Sequence, residues 1–381
     1  MKKLCFIPLA IILILGLILS SCGGKTPAPE PAPAPGPTTP APTPAPETAK
    51  PIKLRWAHGV PPVTAFQTKA FTPWAEMVKE RTTAIGKPVQ IAFFPAESLV
   101  KHFETYDAVV KGVADIGSMW GPQHFPGRMP VVDVMNLPLL FATASSASLT
   151  GWELYQNHAE FRQDLSEVKV IGFNPPAPYQ IVSRNKPIKT LEDMKGQKCM
   201  VRGGIDAEAM SLLGAVPIPM PMPETYMALE RGTIDIAPLN WEGVHTFKWY
   251  EVTKYRTELP IGLNTSFLIV GMNMETWNGL PPEVQGIIEE LSGEYFSKLA
   301  GNAMDGEQGP RVDIIKEHDK KVGNDEFYEV PEAEFQKWVQ AASPLYESWI
   351  ADIEKKGLPG RAIFEDLQRL AKKYNAEYPV K

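Results

Sequence analysis

The spacing of hydrophobic and polar positions changes several times along this chain. Leu4 to Leu19 is an almost unbroken apolar run behind Lys2 and Lys3, the layout of a secretory signal. At about 16 residues it is shorter than the ~20 that span a bilayer as a stable helix. Alternation begins at Ile52-Lys53-Leu54-Arg55-Trp56-Ala57 and predicts a first strand. Residues 64–83 place Phe66, Ala70, Phe71, Trp74 and Val78 near helical spacing. A second strand follows at 89–94, closed by Pro95, then a short helix at 103–111 and a third strand after Gly112. Further strands are expected at 168–173, 179–182, 197–201 and 233–237. Helices are expected at 205–213, stopped by Gly214, and at 224–231, stopped by Gly232. Beyond Pro281 the pattern is one of long helices.

Strands alternating with helices imply α/β lobes with largely parallel sheets, whose ligands bind beyond the carboxyl ends of the strands. The body from Pro51 to Lys381 is too long for one ordinary core, so two lobes are expected. Two stretches, Tyr106 to Ile116 and Tyr226 to Ile236, share one design. Each is a helix, a glycine, a small or apolar step, and an Asp-Ile pair opening a strand. One such unit in each half suggests two similar lobes facing a cleft.

Composition narrows the function. A net charge of −6 lacks the basic face that nucleic acid requires. Cys5 lies in the leading apolar run, and Cys199 is the only cysteine of the body, which leaves no internal disulfide and no cysteine metal site. Cys199, followed by Met200 and Val201 in a strand-like segment, reads as a small core residue. The six histidines form no HExxH pair, and neither a G-x-S-x-G elbow nor a phosphate loop is present, so an enzyme is not expected. No cofactor and no metal is implied. Outside the leading run, no stretch is long and apolar enough for a membrane helix.

The boundary Leu19-Ser20-Ser21-Cys22 resembles the bacterial lipoprotein box. That resemblance implies removal of residues 1–21 and lipidation of Cys22; the other reading is an ordinary signal or uncleaved anchor with a chance cysteine. Residues 26–50 are nearly all Pro, Ala, Thr and Glu. Such a chain favours polyproline II, a semi-rigid spacer reaching at most about 75 Å over these residues. Residues 22–50 therefore read as a lipid-anchored linker holding the body off a membrane.

The body resembles the solute receptors of tripartite ATP-independent periplasmic (TRAP) transporters. The stretches that carry the resemblance are Pro187–Gly196, Gly214–Met220, Glu224–Gly232 and Lys248–Val252, in order and spacing. The resemblance implies a periplasmic-binding-protein-like clamshell of two α/β lobes with crossing hinge strands and a long helix. The lobes would be 51–177 plus 266–305, and 178–265 plus 306–381. It also implies capture of a small organic solute, an organic acid in most relatives, and delivery to a membrane permease. The alternative is a lipoprotein receptor for a neutral or aromatic ligand, serving another transporter or a sensor.

Two familiar carboxylate anchors of that family are missing. The arginine expected four residues beyond Gly196 is Met200, and the one expected after the 168–173 strand is Gln180. Arg202 lies two residues beyond Met200, hence on the same strand face about 6.6 Å further along. Its fork suits bidentate recognition of an acid, unless it is a surface arginine paired with Asp206 or Glu208. Other candidate cleft residues are Trp56 and His58 at the end of the first strand, Trp120 after the third, and Tyr179 near the lobe crossover. Met222 before the 224 helix, and Asn240 with Trp241 after Asp235, complete the set. Three tryptophans at strand ends suggest an aromatic-lined pocket suited to a ring or a cation.

Overall fold

The computed structural model describes residues 50–121, 127–324 and 327–380. The expected signal, Cys22 and the proline-rich linker lie outside the described residues. The strands, in chain order, are β1 (Ile52–Ala57), β2 (Val89–Phe94), β3 (Ile116–Trp120), β4 (Val168–Phe173), β5 (Gln180–Ser183), β6 (Lys198–Val201), β7 (Val216–Pro219), β8 (Ile236–Leu239), β9 (Tyr255–Glu258), β10 (Leu268–Asn273) and β11 (Phe327–Glu329). They form two sheets, ordered β2-β1-β3-β10-β4 and β11-β9-β5-β8-β6-β7.

The two sheets repeat one plan. Parallel strands β2-β1-β3 continue into antiparallel β10 and β4; parallel β7-β6-β8 continue into antiparallel β5 and β9. The twin Asp-Ile motifs set this register. Asp115 Oδ2 accepts from Arg55 N at 2.8 Å, and its own N donates to Arg55 O at 3.0 Å. Asp235 Oδ2 accepts from Lys198 N at 2.9 Å, and its N donates to Lys198 O at 2.8 Å. The glycine before each motif is left-handed, Gly112 at φ 71° and Gly232 at φ 72°, a conformation that a Cβ would penalise. Arg55 of β1 and Lys198 of β6 are therefore equivalent positions.

The chain crosses between sheets twice, from β4 to β5 and from β9 to β10. The crossings pair with each other: Tyr179 N donates to Asn264 O at 2.8 Å, and Leu263 N to Tyr179 O at 2.9 Å. The helix Glu294–Lys321 is the third link. Asp305 caps the helix Ala144–Asn157 of the first lobe through Ala144 N and Ser145 N. Three residues later, Gln308 accepts from Trp241 N of the second lobe at 3.0 Å. These are the crossing strands and long helix of a two-lobed clamshell.

The C-terminal helices depart from the expected grouping of 306–381 with the second lobe. The helix Glu332–Glu354 packs on the helix Ile205–Leu212, yet Tyr346 and Trp349 donate to Pro138 O and Pro130 O of the first lobe. The final helix, Gly360–Glu377, lies on Ala144–Asn157, also in the first lobe. Its periodic face of Ile363, Phe364, Leu367, Leu370 and Tyr374 is buried there. Periodicity shows that a helix has an apolar face, but not which surface receives it.

Candidate functional site

Alternation along β6 sends Cys199 and Val201 into the core beneath the C-terminal helices. Met200 goes to the opposite side, where it joins Tyr179. Arg202, one pleat further, follows Met200 to that side. Its guanidinium carbon stands 4.3 Å from the centre of the Tyr179 ring. The side chain is only 7% exposed. Nη1 donates to Asp206 Oδ2 at 3.0 Å, and Asp206 Oδ1 accepts from Asn264 Nδ2. Tyr179 O–H donates to Ser266 Oγ at 3.0 Å. The arginine is thus seated where the two crossing segments pair, carried by one lobe and placed at the link between both.

The pairing of Arg202 with Asp206 is real, but it does not make a surface arginine. Nη2 is buried and has no hydrogen-bond partner among the described residues. A buried donor in that condition is expensive. Asn174, on the other crossing, donates to Ser118 Oγ at 3.0 Å and leaves its own buried Oδ1 without a partner.

The remaining candidates separate into groups. Trp56 is fully buried in an aromatic cluster, with ring centres 4.7 Å from Phe71, 5.5 Å from Trp74 and 5.3 Å from Phe93. His58 is buried beside it, and its Nε2 lies 2.6 Å from Gln67 Oε1. Gln67 Nε2 already donates to Thr72, so Gln67 accepts and His58 carries its proton on Nε2. Burial holds the imidazole pKa below its ordinary value, with the Gln67 bond opposing. Gln180 is occupied by backbone: its Oε1 accepts from Leu259 N at 2.7 Å.

Trp120 is half-buried against His102, ring centres 5.0 Å apart. Met222 does not precede the helix but opens it, at Met222–Arg231, and is half-buried. Asn240 caps the helix Trp241–Thr246 through Gly243 N at 2.7 Å, and Trp241 donates to Glu258 at 3.3 Å. Met200, Tyr179 and Arg202 are thus brought together. Trp56 and His58 sit in the packing of the first lobe, and Gln180, Asn240 and Trp241 each serve local backbone or core.

Asn264 was not visible from the sequence, since Asn264-Thr265-Ser266 reads as an ordinary polar connection. Asp133 was also missed. It lies in the helical turn Val132–Asn136, and burial raises its carboxyl pKa, helped by Asp206 and Glu208 and opposed by a hydrogen bond from Asn136. Among the described residues, no three His, Cys, Asp or Glu side chains are grouped to hold a metal ion. No helix among them is long and apolar enough to cross a membrane.

Residues 57–352 match the family described as bacterial extracellular solute-binding protein, family 7. The chain belongs to that family. Proteins similar to it include the C4-dicarboxylate-binding periplasmic protein DctP of Rhodobacter capsulatus, 26% identical over 304 residues, covering 78% of this chain and 86% of the relative. Another is the 2,3-diketo-L-gulonate-binding periplasmic protein YiaO of Escherichia coli, 26% identical over 258 residues, 66% of this chain and 77% of the relative. A crystal structure of a TRAP solute-binding protein from Rhodoferax ferrireducens, in complex with copurified benzoate, superposes with a TM-score of 0.76 at 26% identity. That match covers 86% of this chain and 99% of the other. Membership of family 7 makes this a transport protein rather than an enzyme. It binds a small organic solute outside the cytoplasm and works with a TRAP-type membrane permease.

Proposed function

We propose that this chain is the lipid-anchored receptor of a TRAP transporter and that its ligand is an organic acid held through Arg202. The observation that carries the reading is the buried Nη2 of Arg202, a charged donor with no partner, stacked on Tyr179 at the lobe crossing. A carboxylate is the group that best fills a vacant guanidinium donor. Each relative described above is named for, or was crystallised with, an acid. Arg202 takes over the role of the arginines that Met200 and Gln180 replace.

Lobe I would comprise 51–177 and 266–305, joined by the final helix; lobe II would comprise 178–265 with 306–354. Half-buried Trp120 and Met222 would stand at the rim. A ligand touching both lobes shifts their open–closed equilibrium by its differential affinity for the closed form. Residues 1–21 would be removed and Cys22 lipidated, with residues 23–50 as tether.

Thermal shift with acids and their methyl esters, on the wild type and on Arg202→Gln, tests the ligand class. An acid at one hundred times its Kd should stabilise the wild type by about 2.7 kcal/mol, and the ester should not. Equal stabilisation by acid and ester, or by acid in both proteins, would overturn it. The anchor is tested separately: Cys22→Ala should move the protein from membranes to the soluble fraction, and retention on membranes would refute lipidation.

A further inference from the structure

The Arg202 site has a second vacancy, which a carboxylate does not fill. Asn264 is more than nine-tenths buried. Its Nδ2 donates to Asp206 Oδ1, while its own Oδ1 is buried without a hydrogen-bond partner. That orientation is fixed chemically. Asp206 accepts from Arg202 on one oxygen and meets Asn264 with the other, so the amide turns its NH2 toward it and its oxygen away. Arg202 leaves both N–H groups of Nη2 spare, and Asn264 leaves Oδ1 spare as an acceptor. The asparagine backbone is pinned as well, since its carbonyl accepts from Tyr179 N at 2.8 Å across the paired crossings.

We infer that the ligand is a hydroxy acid, its carboxylate on Arg202 Nη2 and its hydroxyl donating to Asn264 Oδ1. The inference rests on the reading that Arg202 receives a carboxylate. Both spare groups belong to side chains that hold one Asp206 carboxylate, so a single compact ligand is the simplest group to meet them together. Hydroxyl suits the vacancy better than ammonium. The unfilled group beside Asp206 is one acceptor; a hydroxyl brings one hydrogen, and an ammonium brings three. Both oxygens of Asp206 already hold a donor, so the two extra hydrogens of an ammonium would have to share the remaining lone pairs of that carboxylate, whereas a hydroxyl leaves none to place. Asn264 is thereby assigned as the residue that separates hydroxy acids from their deoxy counterparts. Such discrimination is strong where a buried polar group is left unpaired by the wrong ligand.

Calorimetric titration of the full chain decides the matter, using matched pairs: lactate with propionate, malate with succinate, mandelate with phenylacetate. Phenylglycine and methyl mandelate complete the panel. In pairs that bind, the hydroxy acid should be about tenfold tighter or more. Asn264→Leu should bring that ratio close to one, whatever the loss of its bond to Asp206 does to the affinity for both acids. A wild-type ratio below about threefold would overturn the inference, and this comparison needs no variant to fold. Survival of the ratio in Asn264→Leu would overturn the assignment to that residue, and phenylglycine binding tighter than mandelate would overturn the hydroxyl. A loss of preference for acid over ester, or failure of every acid to bind, would instead fall on the carboxylate reading and take this inference with it.

Discussion

The ends of β1 and β6 occupy the same place in the two lobes, because Asp115 and Asp235 fix Arg55 and Lys198 in equivalent register. Four residues beyond each stand Gly59 and Arg202. Gly59 has no room for a side chain: a Cβ there would lie 2.0 Å from His102 Nδ1. The residues before it, Trp56 and His58, are sealed among Phe71, Trp74 and Phe93. At the end of β6 the chain instead carries a buried cation with a spare donor. Trp56 Nε1 and His58 Nδ1 at the β1 end are also buried without a hydrogen-bond partner among the described residues. What sets the two strand ends apart is therefore charge: the β6 end buries a guanidinium, and the β1 end is an uncharged packed wall.

Three measurements would break or sharpen this contrast. The largest effect is expected from Trp56→Ala, which empties the centre of the aromatic cluster. Guanidinium unfolding should show a loss of about 3–5 kcal/mol, with acid affinity unchanged in the folded fraction. Lost affinity at full stability would make the β1 end part of the site and end the contrast.

Next is the cost of unpairing Asp206. Arg202→Met should destabilise by about 3 kcal/mol, because Asp206 stays buried with only Asn264 to hold it. The double variant Arg202→Met/Asp206→Leu should recover most of that loss while binding no acid. If the double variant were as unstable as the single one, Arg202 would serve packing rather than charge.

The smallest effect belongs to His58. Burial depresses its folded-state pKa, so the unfolded chain takes up a proton first as pH falls. Stability should therefore be constant above the unfolded value of about 6.5 and decline below it. Asp133 has the opposite sign, since its folded pKa is raised. The stability it contributes is full at low pH and is lost as pH rises through that value. Melting curves of His58→Gln and Asp133→Asn across pH should each remove one slope; if His58→Gln left the decline below neutrality intact, the histidine would not be its source.

Much of the fold was legible because local rules acted without competition. Alternation in Ile52–Ala57 matches the buried Leu54 and Trp56 of β1, and the two Asp-Ile motifs marked the repeated plan before any sheet was seen. The Arg202 side chain was also predictable in direction, since a strand fixes its faces by a period of two. The same rule placed Trp56 beyond a strand end without revealing that Phe71, Trp74 and Phe93 would close over it, because those contacts join segments with no shared local pattern.

By itself, the sequence determined the α/β class, the two-lobed repeat, and the absence of arginine at positions 180 and 200. Period, glycine conformation and charge are properties of short segments and need no partner to be read. Tertiary structure alone decided that Arg202 is buried, that Asp206 and Asn264 complete its surroundings, and that the final helix returns to the first lobe. Hydrogen-bond satisfaction belongs to groups brought together from distant segments: Arg202 and Asn264 are 62 residues apart, yet both contact one carboxylate. Only folding reveals which of their polar atoms find a partner and which do not.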